Sequence, residues 1–248
     1  MFLHGFTGST DTWTKFRSSL ESQYRVIAVD LPGHGQSSAP DDPARYSLDR
    51  FAQDLAKVLD TLSIDRCTLF GYSMGGRAAL RFAIAHPERA SGLILESTSS
   101  GIHDEHARTE RVDADETLAR LIERDGIDAF VARWESLPMW NTQSALGDSG
   151  RAALRDQRLA NTPRGLANSL RGAGAGVDLP ALDQATRITA RALVLAGELD
   201  PPYIEHGRRL AAAIPDATLK VIPHSGHAIH LEQPDLVLGE ITRFIGVD

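Results

Sequence analysis

The chain has 248 residues, with 33 Asp and Glu against 26 Lys and Arg and a net charge of −7, an acidic balance that argues against a basic nucleic-acid-binding surface and for small-molecule chemistry. Its apolar and charged fractions are those of a globular protein, and its length suits one large α/β domain burying roughly three quarters of its unfolded surface, with no second independent domain. One cysteine, Cys67, excludes an internal disulfide framework, no apolar run approaches the ~18 residues of a membrane helix, and the opening Met1-Phe2-Leu3-His4-Gly5 is too short for a signal peptide, so a soluble, unanchored, cytoplasmic protein is expected.

In chain order, a stub at 1–3 leads into LHGFTGS, where His4-Gly5 turns the chain and presents the Phe6 amide. Residues 25–29 read as a buried parallel strand. The loop DLPGHGQS follows, its glycines structural and His34 or Ser37 near enough to reach a pocket. Apolar residues at helical spacing cover 47–62, with Ser47 and Asp49 placed to open that helix. Residues 67–70 read as the next strand, with Cys67 a packed thiol. GYSMGGR follows, and then helical spacing over 73–85 and a strand at 92–95.

From 101 to about 189 the pattern changes. Helical segments at 117–124, 127–137, 150–160 and 163–170 succeed one another with no strand, and Gly172-Ala173-Gly174-Ala175-Gly176 makes a flexible joint. This stretch is rich in arginine and contains no lysine, which suits bidentate carboxylate binding or a solvated face paired with its own Asp and Glu. Strand and helix patterns then resume at 192–196, 203–214, 219–222 and 234–244. The alternation predicts an α/β fold with a mostly parallel sheet and helices on both faces, its core from 1–100 and 190–248 and a helical lid insertion from 101–189. The strands at 25–29, 67–70, 92–95, 192–196 and 219–222 are expected to be parallel neighbours.

Gly71-Tyr72-Ser73-Met74-Gly75 sits between a strand and a helix, the context in which Gly-x-Ser-x-Gly makes a nucleophile elbow. The flanking glycines let backbones approach and force the serine into a strained conformation. A serine hydroxyl needs an imidazole to take its proton and a carboxylate to fix the imidazole. GELDPPY, after the strand at 192–196, offers Asp200 as that acid, with Glu198 and Glu96 as rivals. PHSGHAIHLEQP offers His227 as the base, with His224 and His230 as structural or wall residues. The His-x-x-His-x-x-His spacing is joined by no Cys or carboxylate cluster, so no metal is assigned. Phe6 and Met74 supply the two amides of an oxyanion hole. Arg77 lies one helical turn after Ser73, where a hydrolase of neutral substrates needs no charge, and reads as a receiver of an anion.

The set HGF, DLPGHGQS, GYSMGG and GHAIHLEQP resembles the α/β-hydrolase superfamily over essentially the whole chain. LHGFTGS, GYSMGGR, the ER ending at Arg111, RWESLP with Trp134, RLAN with Arg158 and GLANSLRGAGAG resemble more specifically the 2-succinyl-6-hydroxy-2,4-cyclohexadiene-1-carboxylate synthase (MenH) family of menaquinone biosynthesis. That resemblance implies a lyase that eliminates pyruvate from a small polycarboxylate, 2-succinyl-5-enolpyruvyl-6-hydroxy-3-cyclohexene-1-carboxylate, with Ser73, activated by His227, as the base. It implies substrate binding by Arg77, Arg111, Arg158, Trp134 and Tyr72, and no cofactor. Two other readings stand beside it: a carboxylesterase or C–C hydrolase using Ser73 as nucleophile, and a ligand-binding receptor on the same scaffold. Two departures from the family are visible. The N-terminal hairpin is absent before HGF, so the sheet is expected to lack an edge or begin with a stub, and VDLPALDQA stands where the family more often shows a tryptophan.

Overall fold

A computed structural model describes residues 1–178 and 180–246. Leu179, inside the expected lid and its VDLPALDQA stretch, and Val247 and Asp248, at the end of the expected core, lie outside the described residues. Six parallel strands make one sheet: β1 (Phe2–Leu3), β2 (Ala28–Val29), β3 (Cys67–Tyr72), β4 (Ala90–Glu96), β5 (Arg191–Gly197) and β6 (Ala217–Ile222), in the spatial order β2-β1-β3-β4-β5-β6. The helices are α1 (Thr14–Leu20), α2 (Leu48–Thr61), α3 (Met74–Ala85), α4 (Glu105–Glu135), α5 (Gly147–Leu159), α6 (Pro163–Ala173), α7 (Leu182–Ala185), α8 (Pro201–Ala213), α9 (Ile229–Glu232) and α10 (Pro234–Ile245).

The strand order corrects one expectation. β2 is not a neighbour of β3, because the two-residue stub β1 lies between them and pairs with both. The expected strand over 25–29 contracts to Ala28–Val29 for the same reason: a stub of two residues offers a ladder of two. This arrangement fixes where a site can form. The chain leaves β1 toward β2 and returns on the other side of β1 as β3, so a crevice opens beyond the carboxyl ends of β1 and β3. His4 and Ser73 follow directly from those two ends.

Local physics accounts for the elements on either side. In α2 the residues Leu48, Phe51, Ala52, Leu55, Ala56 and Leu59 are all buried, a single stripe at helical spacing, and the Ser47 hydroxyl caps the helix by accepting from the Arg50 N–H. One apolar cluster joins α2 and α3 to one face of the sheet, and a second joins Trp13, α1 and α10 to the other. The seven residues of α1 bury only Phe16 and Leu20, too few to show a period in the sequence.

Among the described residues, no strand occurs between β4 and β5. The expected helices at 117–124 and 127–137 are two limbs of α4, which begins earlier, at Glu105, and breaks at Gly126 with φ 82° and ψ 178°. Glycine reaches that φ at no steric cost, whereas a side chain there would be strained. Residues of α4 and α6 form a separate apolar cluster with Phe6 packed against it, which seats this helical layer over the crevice.

Candidate active site

The site is built on a strained elbow. Ser73 has φ 52° and ψ −109°, a region that non-glycine residues occupy only where the surroundings impose it. The surroundings do so. A Cβ built on Gly71 would stand 2.4 Å from the Gly75 oxygen, and one built on Gly75 would stand 2.4 Å from the Leu3 oxygen, so neither position admits a side chain. The turn closes with the Ser73 N–H donating to the Glu96 oxygen at 2.9 Å and the Arg77 N–H donating to the Ser73 oxygen at 3.1 Å.

Ser73, His227 and Asp200 form one hydrogen-bonded chain. Ser73 Oγ lies 3.1 Å from His227 Nε2, and His227 Nδ1 lies 2.8 Å from Asp200 Oδ2. The rival carboxylates each hold a different partner. Glu198 accepts from the His224 N–H, and Glu96 accepts from the His230 ring at 2.7 Å. The three histidines of the loop thus go to three separate acids, with His227 buried. Three rings enclose its imidazole: Tyr203 at 4.3 Å, Tyr72 at 5.5 Å and Trp140 at 5.6 Å between centroids.

Among the described residues, the Phe6 and Met74 N–H groups donate to no backbone oxygen in the turns and loops around the elbow. The loop that carries Phe6 is fixed by His4, which is fully buried. His4 Nδ1–H donates to the Gly5 oxygen at 2.8 Å, and Nε2 accepts from the Leu31 N–H at 3.0 Å, which fixes one neutral tautomer. Burial lowers the His4 pKa. His34 packs its ring at a tilt against His4 and edge-on against Phe6 and does not line the main cavity, nor does Ser37, whose hydroxyl donates to the Asp30 oxygen.

Burial, reinforced by His4, pushes His34 down from 6.5 to about 3. Its folded pKa is below its unfolded one, so between those values the unfolded chain binds the extra proton. The stability is therefore complete above about pH 6.5 and declines as pH falls toward 3, by up to ~1.4 kcal/mol per pH unit. Urea unfolding of wild type between pH 7 and pH 4 should show this slope, and His34→Asn should make it visibly shallower. An unchanged slope in the variant would mean that His34 does not carry the effect.

A cavity of about 310 Å³ opens over Ser73, with Phe6, Arg77, Arg111, Trp134 and His227 in its wall. Arg77 is buried there, but it is not idle. Its Nη2 donates to the Ala173 oxygen at 2.6 Å, its Nη1 to the Gly174 oxygen at 3.3 Å, and Asp178 Oδ2 lies 3.5 Å away. Asp178 also receives Arg81 at 2.8 Å. The partners of Arg77 are thus two neutral carbonyls and a carboxylate shared with a second arginine. Burial lowers its pKa, and Asp178 opposes that. Arg111 donates through Nε to Asp115 at 2.8 Å. Burial raises the Asp115 pKa against the pull of Arg111.

Arg158 departs from expectation. It is buried, donates to Glu135 at 2.9 Å and Gln143 at 3.1 Å, and lies over the Trp140 ring. These partners keep it off the wall of the main cavity; it lines an adjoining space of about 30 Å³ that shares Phe6, Tyr72 and Trp140. Tyr72 is buried between the two spaces, and burial, with Glu96 nearby, holds its phenol well above the usual range. Trp134 meets Phe6 edge to face at 5.4 Å, so it packs the lid and walls the cavity at once.

Tyr203, Trp140 and Asp178 escape the sequence reading. Tyr203 carries a local signal, since it lies three residues after Asp200 in DPPY and the first turn of α8 brings it back over the imidazole. Trp140 carries a weaker one, as an aromatic in an apolar stretch of the insertion. Asp178 carries none, because Arg81 is 97 positions away in sequence.

The family model for the alpha/beta hydrolase fold matches residues 1–234. A protein of Bacillus subtilis (strain 168), which bears the name 2-succinyl-6-hydroxy-2,4-cyclohexadiene-1-carboxylate synthase provisionally, is 40% identical over 243 residues, covering 98% of this chain and 88% of that protein. The Enterobacter sp. (strain 638) protein of the same name is 33% identical over 249 residues, covering 99% and 90%. The solved structure of MenH from S. aureus matches with a TM-score of 0.95 at 36% identity, over 99% of this chain and 92% of that one. With an elbow serine, an imidazole and a carboxylate in one chain beneath a helical layer, and with likeness of this extent, the chain belongs to the α/β-hydrolase fold family and, within it, to the family of the 2-succinyl-6-hydroxy-2,4-cyclohexadiene-1-carboxylate synthases.

Proposed function

We infer that the chain is a carbon–oxygen lyase of menaquinone biosynthesis that eliminates pyruvate from 2-succinyl-5-enolpyruvyl-6-hydroxy-3-cyclohexene-1-carboxylate to give 2-succinyl-6-hydroxy-2,4-cyclohexadiene-1-carboxylate. The observation that carries this reading is the pairing, in one cavity, of the Ser73-His227-Asp200 chain with Arg77 and Arg111. A hydrolase of neutral esters gains nothing from two guanidiniums at its serine, whereas a tricarboxylate needs its charges met when it is partly desolvated.

The chemistry follows from the substrate. The hydrogen on ring carbon 2 is acidified by the succinyl ketone beside it. His227 takes the Ser73 proton, and the Ser73 oxygen removes that hydrogen. The electron pair forms the C2–C3 double bond, the original C3–C4 double bond moves to C4–C5, and the C5–oxygen bond breaks. The imidazolium returns its proton to the departing enolpyruvate, which becomes pyruvate. Enolate charge on the ketone oxygen meets the Phe6 and Met74 amides, each worth about 3 kcal/mol in a dry, preorganised site. Asp200 keeps Nδ1 protonated, so that Nε2 faces Ser73.

Arg77 and Arg111 hold carboxylates and orient the ring against Ser73, with Trp134 and Tyr72 as walls. Arg158 acts from behind the Phe6 and Tyr72 wall, since the space of about 30 Å³ that it lines has room for about one water. In this reading residues 101–189 act as a lid over a core of 1–100 and 190–248. No described helix is long and apolar enough to cross a membrane, and the enzyme acts on its small-molecule substrate in the cytoplasm. Incubation of the purified chain with the enolpyruvyl substrate should release one pyruvate per substrate consumed. Robust turnover of a neutral ester with no pyruvate would make it an esterase instead.

A further inference from the structure

Glu96 ends β4 beside the elbow and is completely buried. Its main-chain oxygen accepts the Ser73 N–H at 2.9 Å. Its carboxylate Oε1 accepts two bonds from one residue, the His230 N–H at 3.0 Å and His230 Nδ1–H at 2.7 Å. His230 is itself buried, lies three residues after His227 on α9, and packs its ring 4.5 Å from Tyr72 and 4.9 Å from Trp13. One residue therefore grips the strained serine through its backbone and the histidine loop through its side chain. The two grips meet the chain on opposite sides of the 3.1 Å contact between Ser73 Oγ and His227 Nε2.

We propose that Glu96 is a positioning residue for the reaction, a clamp through which the His230 end of the loop is registered against the elbow so that His227 meets Ser73. Asp200 already serves the His227 ring, so the carboxylate of Glu96 acts through distance and not through its charge on the imidazole. Its second oxygen, Oε2, is buried and has no hydrogen-bond partner among the described residues, which locates the working contact at Oε1. What matters is the length of the side chain that carries that oxygen to His230. A shift of about 1 Å at a reacting contact is enough to cost ~10²-fold in rate.

Reach and charge separate cleanly by substitution. Glu96→Asp keeps the charge and withdraws the oxygen by about one carbon–carbon bond, ~1.5 Å. Glu96→Gln keeps the reach and the acceptor and removes the charge. The expected results are a kcat for pyruvate release ~10²-fold lower in Glu96→Asp with KM nearly unchanged, and recovery of most of that loss in Glu96→Gln. The downfield proton NMR signal of His227 Nδ1–H should shift or broaden in the Asp variant and match wild type in the Gln variant. If Glu96→Asp fails to fold, His230→Leu, which deletes the ring donor and keeps the backbone one, carries the same expectation of lowered kcat at constant KM. Wild-type kcat and signal in the shortened variant, equal losses in Asp and Gln, or a loss confined to KM would overturn the proposal. The kinetic arm rests on the lyase reading. If wild type releases no pyruvate, that reading falls, and the NMR arm alone then decides the clamp.

Discussion

Ser73→Ala is expected to lower kcat for pyruvate release by at least ~10³-fold while leaving KM within a small factor of wild type. The serine oxygen is the only group in the proposed mechanism that touches the hydrogen on ring carbon 2, so its removal leaves the oxyanion amides and the bound geometry but no base at the reacting atom. In the proposed mechanism substrate affinity comes from the arginines and aromatic walls, which the substitution does not disturb. The fold should also survive with its strain unchanged, because Ser73 is held at φ 52° by the tight approach of Gly71 and Gly75 and not by its hydroxyl, and alanine keeps the same Cβ. Steady-state kinetics together with a thermal melt check all three points. A variant that retains within tenfold of wild-type kcat would transfer the base role to another group, with His227 itself the first candidate.

The second large effect is at Arg77. Arg77→Ala should lower kcat/KM for the enolpyruvyl substrate by roughly 10²-fold or more, because losing a charge-assisted hydrogen bond costs about 1.5–3 kcal/mol and leaves a carboxylate unpaired in a buried wall. The structure adds a second consequence. The guanidinium also holds the Ala173 and Gly174 oxygens at the end of α6 and lies beside Asp178, so the variant should melt at a lower temperature and leave Asp178 to Arg81. The two effects separate by substrate. Any weak activity on a small neutral ester should barely change in the folded variant, since that substrate has no carboxylate for the arginine to meet. Equal losses on both substrates would make Arg77 a structural tie between the core and the helical layer, and nothing more.

The contrast between these residues shows what the sequence makes legible. Ser73, Asp200 and His227 are readable because each lies at or just beyond the carboxyl end of a strand whose short, β-branched or leucine-rich composition is local information, and because the parallel sheet brings those ends together. The elbow glycines are readable for the same reason: the turn is five residues long. The strand order is not, since a two-residue β1 has no period, and the placement of β2 depends on pairing with it. The arginines divide on the same principle. Arg77 is placed near Ser73 by one turn of helix, but its partners Ala173, Gly174 and Asp178 lie about a hundred positions away, and Arg158 is drawn to Glu135 and Gln143 inside the insertion. Helical periodicity says which residues share a face of one helix and nothing about which other helix meets it. Glu96 is visible only as a rival acid at a strand end, because its actual partner, His230, lies 134 positions away in sequence.

In the proposed mechanism Ser73 acts as a base on carbon and not as a nucleophile on a carbonyl. The most direct test is a single turnover with substrate deuterated at ring carbon 2, which follows the chemical step without product release. Pyruvate formation should be slowed by a primary isotope effect well above unity, with no covalent mass added to the enzyme at any point in the time course. An isotope effect of unity accompanied by an acyl adduct on Ser73 would make the serine a nucleophile instead.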